Sequence, residues 1–506
     1  MTAKTRTAAI FAAGGLMLLL GALSLLWAKP GPAAAAAPAA APFAMAPAFA
    51  PAPAVTAPIA LAPVPAAFAD ATKLGASDAV KVMPRLSHPA MLAGGPREVY
   101  FQADVTAKQA AATSERREPV QLALVVDCSG SMQGPKIENT RAAAREVVRQ
   151  LRDGDRLVIV SYETSARVAL PSTCINDGTR AQAMSAVDEL IAEGSTNLSG
   201  GVDLARRMLF ADSSADKSVR RMVLLSDGQA NMGELRNDKL FAIAADLRGR
   251  GVTFSSVGVG VDFNSTLMEG LSEHGGGRFR FLDEPAAIAA AFVKELTLAA
   301  KLVAADVKVV LHPADGVTIE DVYGNLFERV GRDVVVSLPD LASTTHQRVL
   351  ARLTVSPGAG QFPVLETIAT FADVATDRAR AMSLAPALTA HATASPEEVA
   401  RLEDKEVLTY GINGRGIADA RRAIELNDLG RREEALRLLE SAHDTVAVAN
   451  KDLNARELSG SINVFGNLRA LFASSANALG GGGDESVRHA SRKAIQNFGS
   501  NNVGEE

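Results

Sequence analysis

Between Gln121 and Leu298 the apolar positions fall alternately into runs and into helical spacing. Leu122 to Val126 is unbroken apolar sequence, as in a strand buried on both faces. Ile137, Ala144, Val147, Val148 and Leu151 then recur at helix spacing. Leu157 to Val160 and a short run around Val168 read as a strand pair. Two helices follow, one with Ala183, Val187, Leu190 and Ile191 inward, the next with Val202, Ala205 and Leu209 inward. Met222 to Leu225 predicts a strand, Leu240 to Leu247 a helix, and Val252 to Val257 another strand. Arg278 to Phe281 closes the pattern as a strand, followed by a helix through Ile288, Phe292 and Leu296. Such alternation predicts an α/β domain, a doubly wound and mostly parallel sheet with helices on both faces. Ligands on such sheets bind at the carboxyl ends of the strands.

The rhythm changes on either side. Glu98 to Val105 alternates like a half-buried strand, as do Val307 to Leu311, Val334 to Leu338, Arg348 to Val355 and Leu365 to Phe371. These predict an antiparallel β-sandwich whose early strand joins the later ones, with the α/β unit inserted between. Helical patterns return from Ser395, where Ser395-Pro396-Glu397-Glu398 reads as a capped helix start. Ile417, Ala420 and Ile424, then Ala435, Leu438, Leu439 and Ala442, predict a helical hairpin turning near Asn427 to Gly430, a plain helical cap.

The N-terminus changes the picture of where this assembly sits. Lys4 and Arg6 precede an uncharged, mostly apolar run from Ala8 to Ala28. That is about the length of a bilayer-spanning helix. A signal anchor is the reading adopted, with a cleaved signal peptide as the alternative. Either one exports the rest of the chain, to the periplasm or the cell exterior. The expected organisation is thus an anchor or signal at 1–28, an Ala/Pro-rich linker at 29–71, and sandwich at 72–118. The α/β domain follows at 119–299, sandwich again at 300–376, a helical region at 390–479, and a polar tail at 480–506.

Charge and cysteines narrow the chemistry. A net charge of −5 over 506 residues, with no Lys/Arg block interleaved with aromatics, argues against nucleic-acid binding. Two cysteines, Cys128 and Cys174, make no disulfide scaffold; one bridge and two free thiols both stay open.

Asp127 ends the first buried strand, and Ser129 and Ser131 follow at alternate positions around Gly130. Short oxygen side chains at that spacing can converge on a hard cation. Thr196, in Gly194-Ser-Thr-Asn-Leu198, adds a hydroxyl, and Asp227, in Leu224-Leu-Ser-Asp-Gly228, ends a second buried strand. Each has a plainer alternative taken singly: a capping loop for the Asp-x-Ser-x-Ser run, a turn or cap for Thr196, a turn aspartate for Asp227. Their occurrence together, on loops that one sheet would bring to one rim, favours a metal site.

In this order and these residue types, the five positions resemble the metal-ion-dependent adhesion site of von Willebrand factor type A domains. Met132 and the run from Ser226 to Asn231 are typical of bacterial members. The flanking sandwich and helices resemble, more loosely and over about residues 95 to 450, secreted or membrane-anchored bacterial proteins related to inter-alpha-trypsin inhibitor heavy chains. The resemblance implies a divalent cation, Mg2+ with Mn2+ or Ca2+ as alternatives, held by Asp127, Ser129, Ser131, Thr196 and Asp227. It also implies a protein partner that offers an Asp or Glu carboxylate. Cys128 departs from the usual non-thiol residue at its position.

Other chemistry finds little support. There is no P-loop, no His-Glu-x-x-His and no Gly-x-Ser-x-Gly elbow, and the dinucleotide glycine pattern is incomplete at Gly258-Val-Gly260. His274 reads as a surface-loop residue, and an enzyme is not expected. The expectation is a membrane-tethered, metal-dependent binding module for adhesion or envelope-complex assembly. Two alternatives are an accessory subunit of an AAA ATPase or chelatase-type machine, and an envelope protein whose metal is purely structural.

Overall fold

The computed structural model describes residues 67–108, 119–211, 218–259, 264–282, 290, 294, 297–299, 301–343, 345–376 and 379–474. The anchor or signal segment, most of the linker, the helix expected around Ile288 to Leu296 and the polar tail lie outside the described residues, apart from isolated positions near 290–298. Among the described residues no helix is long and apolar enough to cross a membrane.

The α/β unit contains strands β1 (Val120–Asp127), β2 (Arg156–Tyr162), β3 (Ala166–Cys174), β4 (Val219–Ser226), β5 (Val252–Val259) and β6 (Gly276–Leu282). Its helices are α1 (Pro135–Gln150), α2 (Asp177–Asp188), α3 (Leu198–Ala211), α4 (Asn237–Gly249) and α5 (Ser265–His274). The strands run in the order β6-β5-β4-β1-β2-β3. All neighbours are parallel except β2 and β3. Every residue of β1 and β5 is buried, as in strands covered on both faces; in β1 this appears in the sequence as the apolar run Leu122 to Val126, whereas β5 also buries Thr253, Ser255 and Ser256. Val147, Val148 and Val187 from α1 and α2 pack with Leu122 and Leu124 on one face. Val202, Leu209, Leu240 and Leu271 from α3, α4 and α5 pack with Val125 and Phe254 on the other. Each such fully buried aliphatic side chain contributes about 1.5–3 kcal/mol relative to exposure.

The sandwich surrounds this insertion. Arg97–Ala107, which precedes β1, pairs antiparallel with His346–Val355, so strands on both sides of the α/β unit share one sheet. That sheet has four strands and faces a second of nine. Val99, Phe101, Leu353, Val309, Leu311 and Phe371 meet in the core between them. Beyond it, helices Pro396–Leu402, Lys405–Asp428, Arg432–Leu453 and Arg456–Ser474 end the described chain. Val407 seats the second of these on Tyr100, Tyr323 and Leu350 of the four-stranded sheet.

Several expectations need correction. The linker expected at 29–71 ends before 71: Ala67–Ala71 is a short helix, and the Phe68 backbone N–H donates to Asp333 Oδ2 at 2.7 Å. Strands continue past 376, through Ala379–Leu384 and Leu388–Thr393. The helical hairpin is joined by a third long helix, Arg456–Ser474, whose Phe465, Leu468 and Phe472 complete one core with it. Helix α2 stops at Asp188, so Leu190 is buried from the following loop while Ile191 is 57% exposed. His274 is no loop residue: it ends α5, bonds the Gly270 carbonyl at 2.8 Å and stacks on Phe241 with ring centroids 4.7 Å apart.

Candidate metal centre

Parallel pairing places the carboxyl ends of β1 and β4 side by side, so Asp127 and the Ser226-Asp227 corner emerge on the same rim. Asp127 is fully buried and accepts three hydrogen bonds. Oδ1 takes the Ser129 backbone N–H at 2.9 Å; Oδ2 takes the Tyr162 hydroxyl at 3.1 Å and the Ser226 hydroxyl at 2.6 Å. Tyr162 is the residue opposite Asp127 in the β1–β2 register, and it is itself wholly buried. Burial pushes the Asp127 carboxyl above the usual range, the Ser129 and Ser226 bonds pull it down, and the charge of Asp227 pushes it up again. The two carboxylates therefore feel each other.

The hydroxyls are not spent on capping. Ser129 stands at the N-cap of the short 3-10 turn Gly130–Met132 but makes no side-chain cap bond. Its Oγ lies 3.0 Å from Ser131 Oγ instead. Helix α3 is capped by Asn197, whose Oδ1 accepts the Gly200 N–H at 3.0 Å, so Thr196 is not needed there either. The capping alternatives for these positions thus fail. Asp227 does accept its local turn N–H, from Gln229 at 3.3 Å, but its other oxygen faces Lys136 Nζ at 3.2 Å.

Three loops are laced into one surface by backbone bonds. Gly130 N–H donates to the Gly194 carbonyl at 3.0 Å, and Glu193 N–H to that of Cys128 at 2.7 Å. Asn231 and Met232 N–H both donate to the Thr196 carbonyl at 3.1 Å, while Thr196 N–H donates to Asn231 Oδ1 at 2.8 Å. Gly194 is required at its turn: its φ is +74°, and a Cβ there would lie 2.7 Å from both the Glu163 carboxylate and the Thr164 hydroxyl.

All five residues expected from sequence thus belong to these laced loops. Asp127, Ser129, Thr196 and Asp227 are buried, and Ser131 is exposed at the rim. Among the described residues no group of three or more His, Cys, Asp or Glu is arranged to hold a metal, so a cation here depends on mixed hydroxyl and carboxylate donors. Such hard oxygen donors suit Mg2+, Mn2+ or Ca2+. Two buried carboxylates against one ammonium leave a net negative charge for a divalent ion to neutralise, so the donor set fits.

Sequence reasoning missed Tyr162 and Lys136. The register of β2 against β1 would have pointed to the tyrosine; a basic residue in the first turn of α1 was the only signal for the lysine. The cysteine question closes. Cys128 follows Asp127 at one end of the sheet, whereas Cys174 pairs with Arg156 at the other end of β2. Those ends are ~20 Å apart at 3.3 Å per residue, far beyond disulfide reach, and both thiols are free. Burial, with the Asp127 charge adding to it, pushes the Cys128 thiol up to about 12.

Fold and rim define a doubly wound α/β domain with its polar loops gathered at the carboxyl edge. Residues 121–293 match the von Willebrand factor type A domain family, and the chain carries a domain of that family. Over 185 residues, 36% of this chain, it is 30% identical to an uncharacterised Escherichia coli (strain K12) protein, YfbK. It is 27% identical to the inter-alpha-trypsin inhibitor heavy chain H3 of Mesocricetus auratus over 176 residues, 33% of this chain. The chain spans only 31% and 20% of the lengths of those relatives. The likeness in fold is broader: a von Willebrand factor type A structure from Catenulispora acidiphila superposes with a TM-score of 0.58 at 20% identity. It covers 75% of this chain and 89% of that one.

Proposed function

We propose that this protein is a metal-dependent binding module that captures an acidic residue of a partner protein through a divalent cation, Mg2+ in the first instance. Asp127, Ser129, Ser131, Thr196 and Asp227 would hold the ion. One observation carries the reading: two buried carboxylates and hydroxyls that cap no helix are gathered on one rim. The ion would supply an electron-poor coordination position for the partner's carboxylate, because Ser and Thr ligands are neutral. The chain's own residues do the rest. Tyr162, Ser226 and the Ser129 N–H fix the Asp127 carboxylate, and the Thr196–Asn231 bonds fix the third loop.

The rim also carries apolar surface. Met232, beside Thr196, is 37% exposed, Leu235 is 51% exposed, and Ile191 lies in the preceding loop. These positions favour a partner whose acidic residue is flanked by apolar ones. A purely structural metal is the weaker reading, because the three loops are already tied by direct hydrogen bonds. The apolar N-terminal run supports a membrane-tethered protein facing the periplasm or exterior, and it speaks against docking to a cytosolic ATPase. Affinity capture from an envelope extract tests the reading. Partners retained with Mg2+ should be lost with EDTA and with Asp127→Ala; retention under both conditions would refute it.

A further inference from the structure

One part of the joint between the sandwich and the helical region is held largely by polar contacts. Pro396–Leu402, a helix of seven residues, lies against the strands Ala90–Leu92 and Leu388–Thr393, yet none of its residues is buried. Both of its ends are pinned by histidine–carboxylate pairs instead. Near the start, Glu398 Oε1 lies 3.2 Å from His391 Nε2, and its Oε2 accepts the Thr393 hydroxyl at 2.6 Å. Just past the end, Glu403 Oε2 faces His88 Nε2 at 3.6 Å, beyond hydrogen-bond reach. The two histidines belong to neighbouring segments, since the His391 N–H donates to the Pro89 carbonyl at 3.0 Å.

The surroundings of His88 suit a neutral ring. Its Nδ1 lies 2.9 Å from Ser87 Oγ, and that hydroxyl, in a fully buried serine, already accepts the Tyr100 N–H at 2.9 Å. In the neutral ring the Ser87 O–H donates to Nδ1, and the proton on Nε2 is turned to Glu403. A protonated ring carries a hydrogen on Nδ1 as well, so the Ser87 hydroxyl would have to turn its own proton to another acceptor in the core. Burial also pushes the His88 ring below its ordinary value, against the upward pull of the Glu403 charge. The other titratable groups at this corner are Arg85, which is paired with Asp104, Asp404 and Glu406, and on the helix side His391 and Glu398.

We propose that the Pro396–Leu402 helix is an acid-released strap: protonation of His88 frees the segment from Ala394 to Glu403, while the Val407 seat keeps the following long helix on the sandwich. Docking depresses His88, so its contribution is complete above the ordinary histidine value of 6.5 and is lost as pH falls through the docked value. Docking also lowers Glu398, through the Thr393 bond first and the His391 bond second, so its contribution is complete above 4.5 and fails only below that. Release therefore begins with His88, in a mildly acidic medium. None of these contacts involves a residue of the metal rim, so the strap and the metal reading stand or fall separately.

The test is hydrogen exchange, read by mass spectrometry on the whole chain at about pH 7.5 and about pH 5.5, with exposure times scaled to the intrinsic exchange rate. Peptides spanning 394–403 should lose protection by at least about threefold at the lower pH, within the roughly tenfold that one histidine allows there. Peptides of Lys405–Asp428 should keep theirs. His88→Gln retains an uncharged donor and should abolish the pH response. If that variant undocks the strap at both pH values, Glu403→Gln decides. Without the glutamate charge His88 takes up its proton less readily, so release should move to lower pH. The proposal is overturned if the 394–403 peptides of the wild type are equally protected at both pH values, or if a docked His88→Gln variant keeps the response. It is equally overturned if Glu403→Gln leaves release where it was or moves it to higher pH.

Discussion

Lys136 Nζ lies 3.2 Å from Oδ2 of the fully buried Asp227, although the lysine occupies the first turn of α1, where helix dipoles disfavour a cation. A residue placed against its local preference is answering to something distant, here a carboxylate 91 positions along the chain. Counted over Asp127, Asp227 and Lys136 alone, a divalent ion would bring the total to +1, and to zero without the lysine.

Removing that charge should therefore separate two affinities. Lys136→Met is expected to bind Mn2+ at least about tenfold more tightly, because a repulsive charge near the ion is lost. The same variant, metal-loaded, should hold a glutamate-bearing probe peptide less well. Unchanged affinities in both titrations would reduce the lysine to a structural partner of Asp227.

Tyr162 links the core to the rim, and its neighbour Gly201 tests how tightly. Tyr162→Phe removes the hydroxyl that bonds Asp127, which should cost about 1 kcal/mol of stability. Metal affinity should fall about 10-fold, since groups that orient ligands typically matter by that much. Gly201→Ala acts on the same ring by packing. In a helix the change would ordinarily gain about 1 kcal/mol, but here the new Cβ would lie 2.5 Å from the Tyr162 ring. The overpacking should win, with net destabilisation of about 1–3 kcal/mol in urea unfolding.

The thiols should behave oppositely. Cys174 is exposed and should react with a soluble disulfide reagent at once. Cys128 is buried and, with its thiol pushed up to about 12, is only ~1 part in 10,000 thiolate at pH 8. One thiol per folded chain should titrate, and the second only in denaturant. Two fast thiols would contradict the burial of Cys128.

The junction between domain and sandwich depends on Asp340. Arg221 and Asp340 are both about nine-tenths buried, and Asp340→Ala would leave the arginine without that partner. Breaking such a pair is expected to cost about 3–5 kcal/mol in chemical denaturation. A loss below 1 kcal/mol would mean that the ion pair is incidental to the junction.

What could be read along the chain follows from where the signal is local. β1 and β4 carry the apolar runs Leu122 to Val126 and Met222 to Leu225 because both faces are covered there, so Asp127 and Asp227 could be placed at strand ends without coordinates. The strand pair Arg97–Ala107 and His346–Val355 was legible from alternation on either side of the insertion. Ala379–Leu384 and Leu388–Thr393 were not: they are short, partly exposed and separated by Pro386, so neither carries a strong period. In Arg456–Ser474, Gly460 and Gly466 dilute the helical signal that Phe465 and Phe472 carry. Ile191 misled because its apolar spacing continues past the point where α2 ends. Tyr162 and Lys136 lie beyond local pattern, since their roles exist only through register and through a contact across 91 positions.

The most direct test of the central claim is calorimetric titration of the purified chain with Mg2+ and Mn2+, beside Asp127→Asn, which keeps the shape of the buried side chain. One saturable site per chain is expected in the wild type, with loss of binding in a variant that still folds by circular dichroism. Absence of saturable binding in the wild type, or equal affinity in Asp127→Asn, would contradict it.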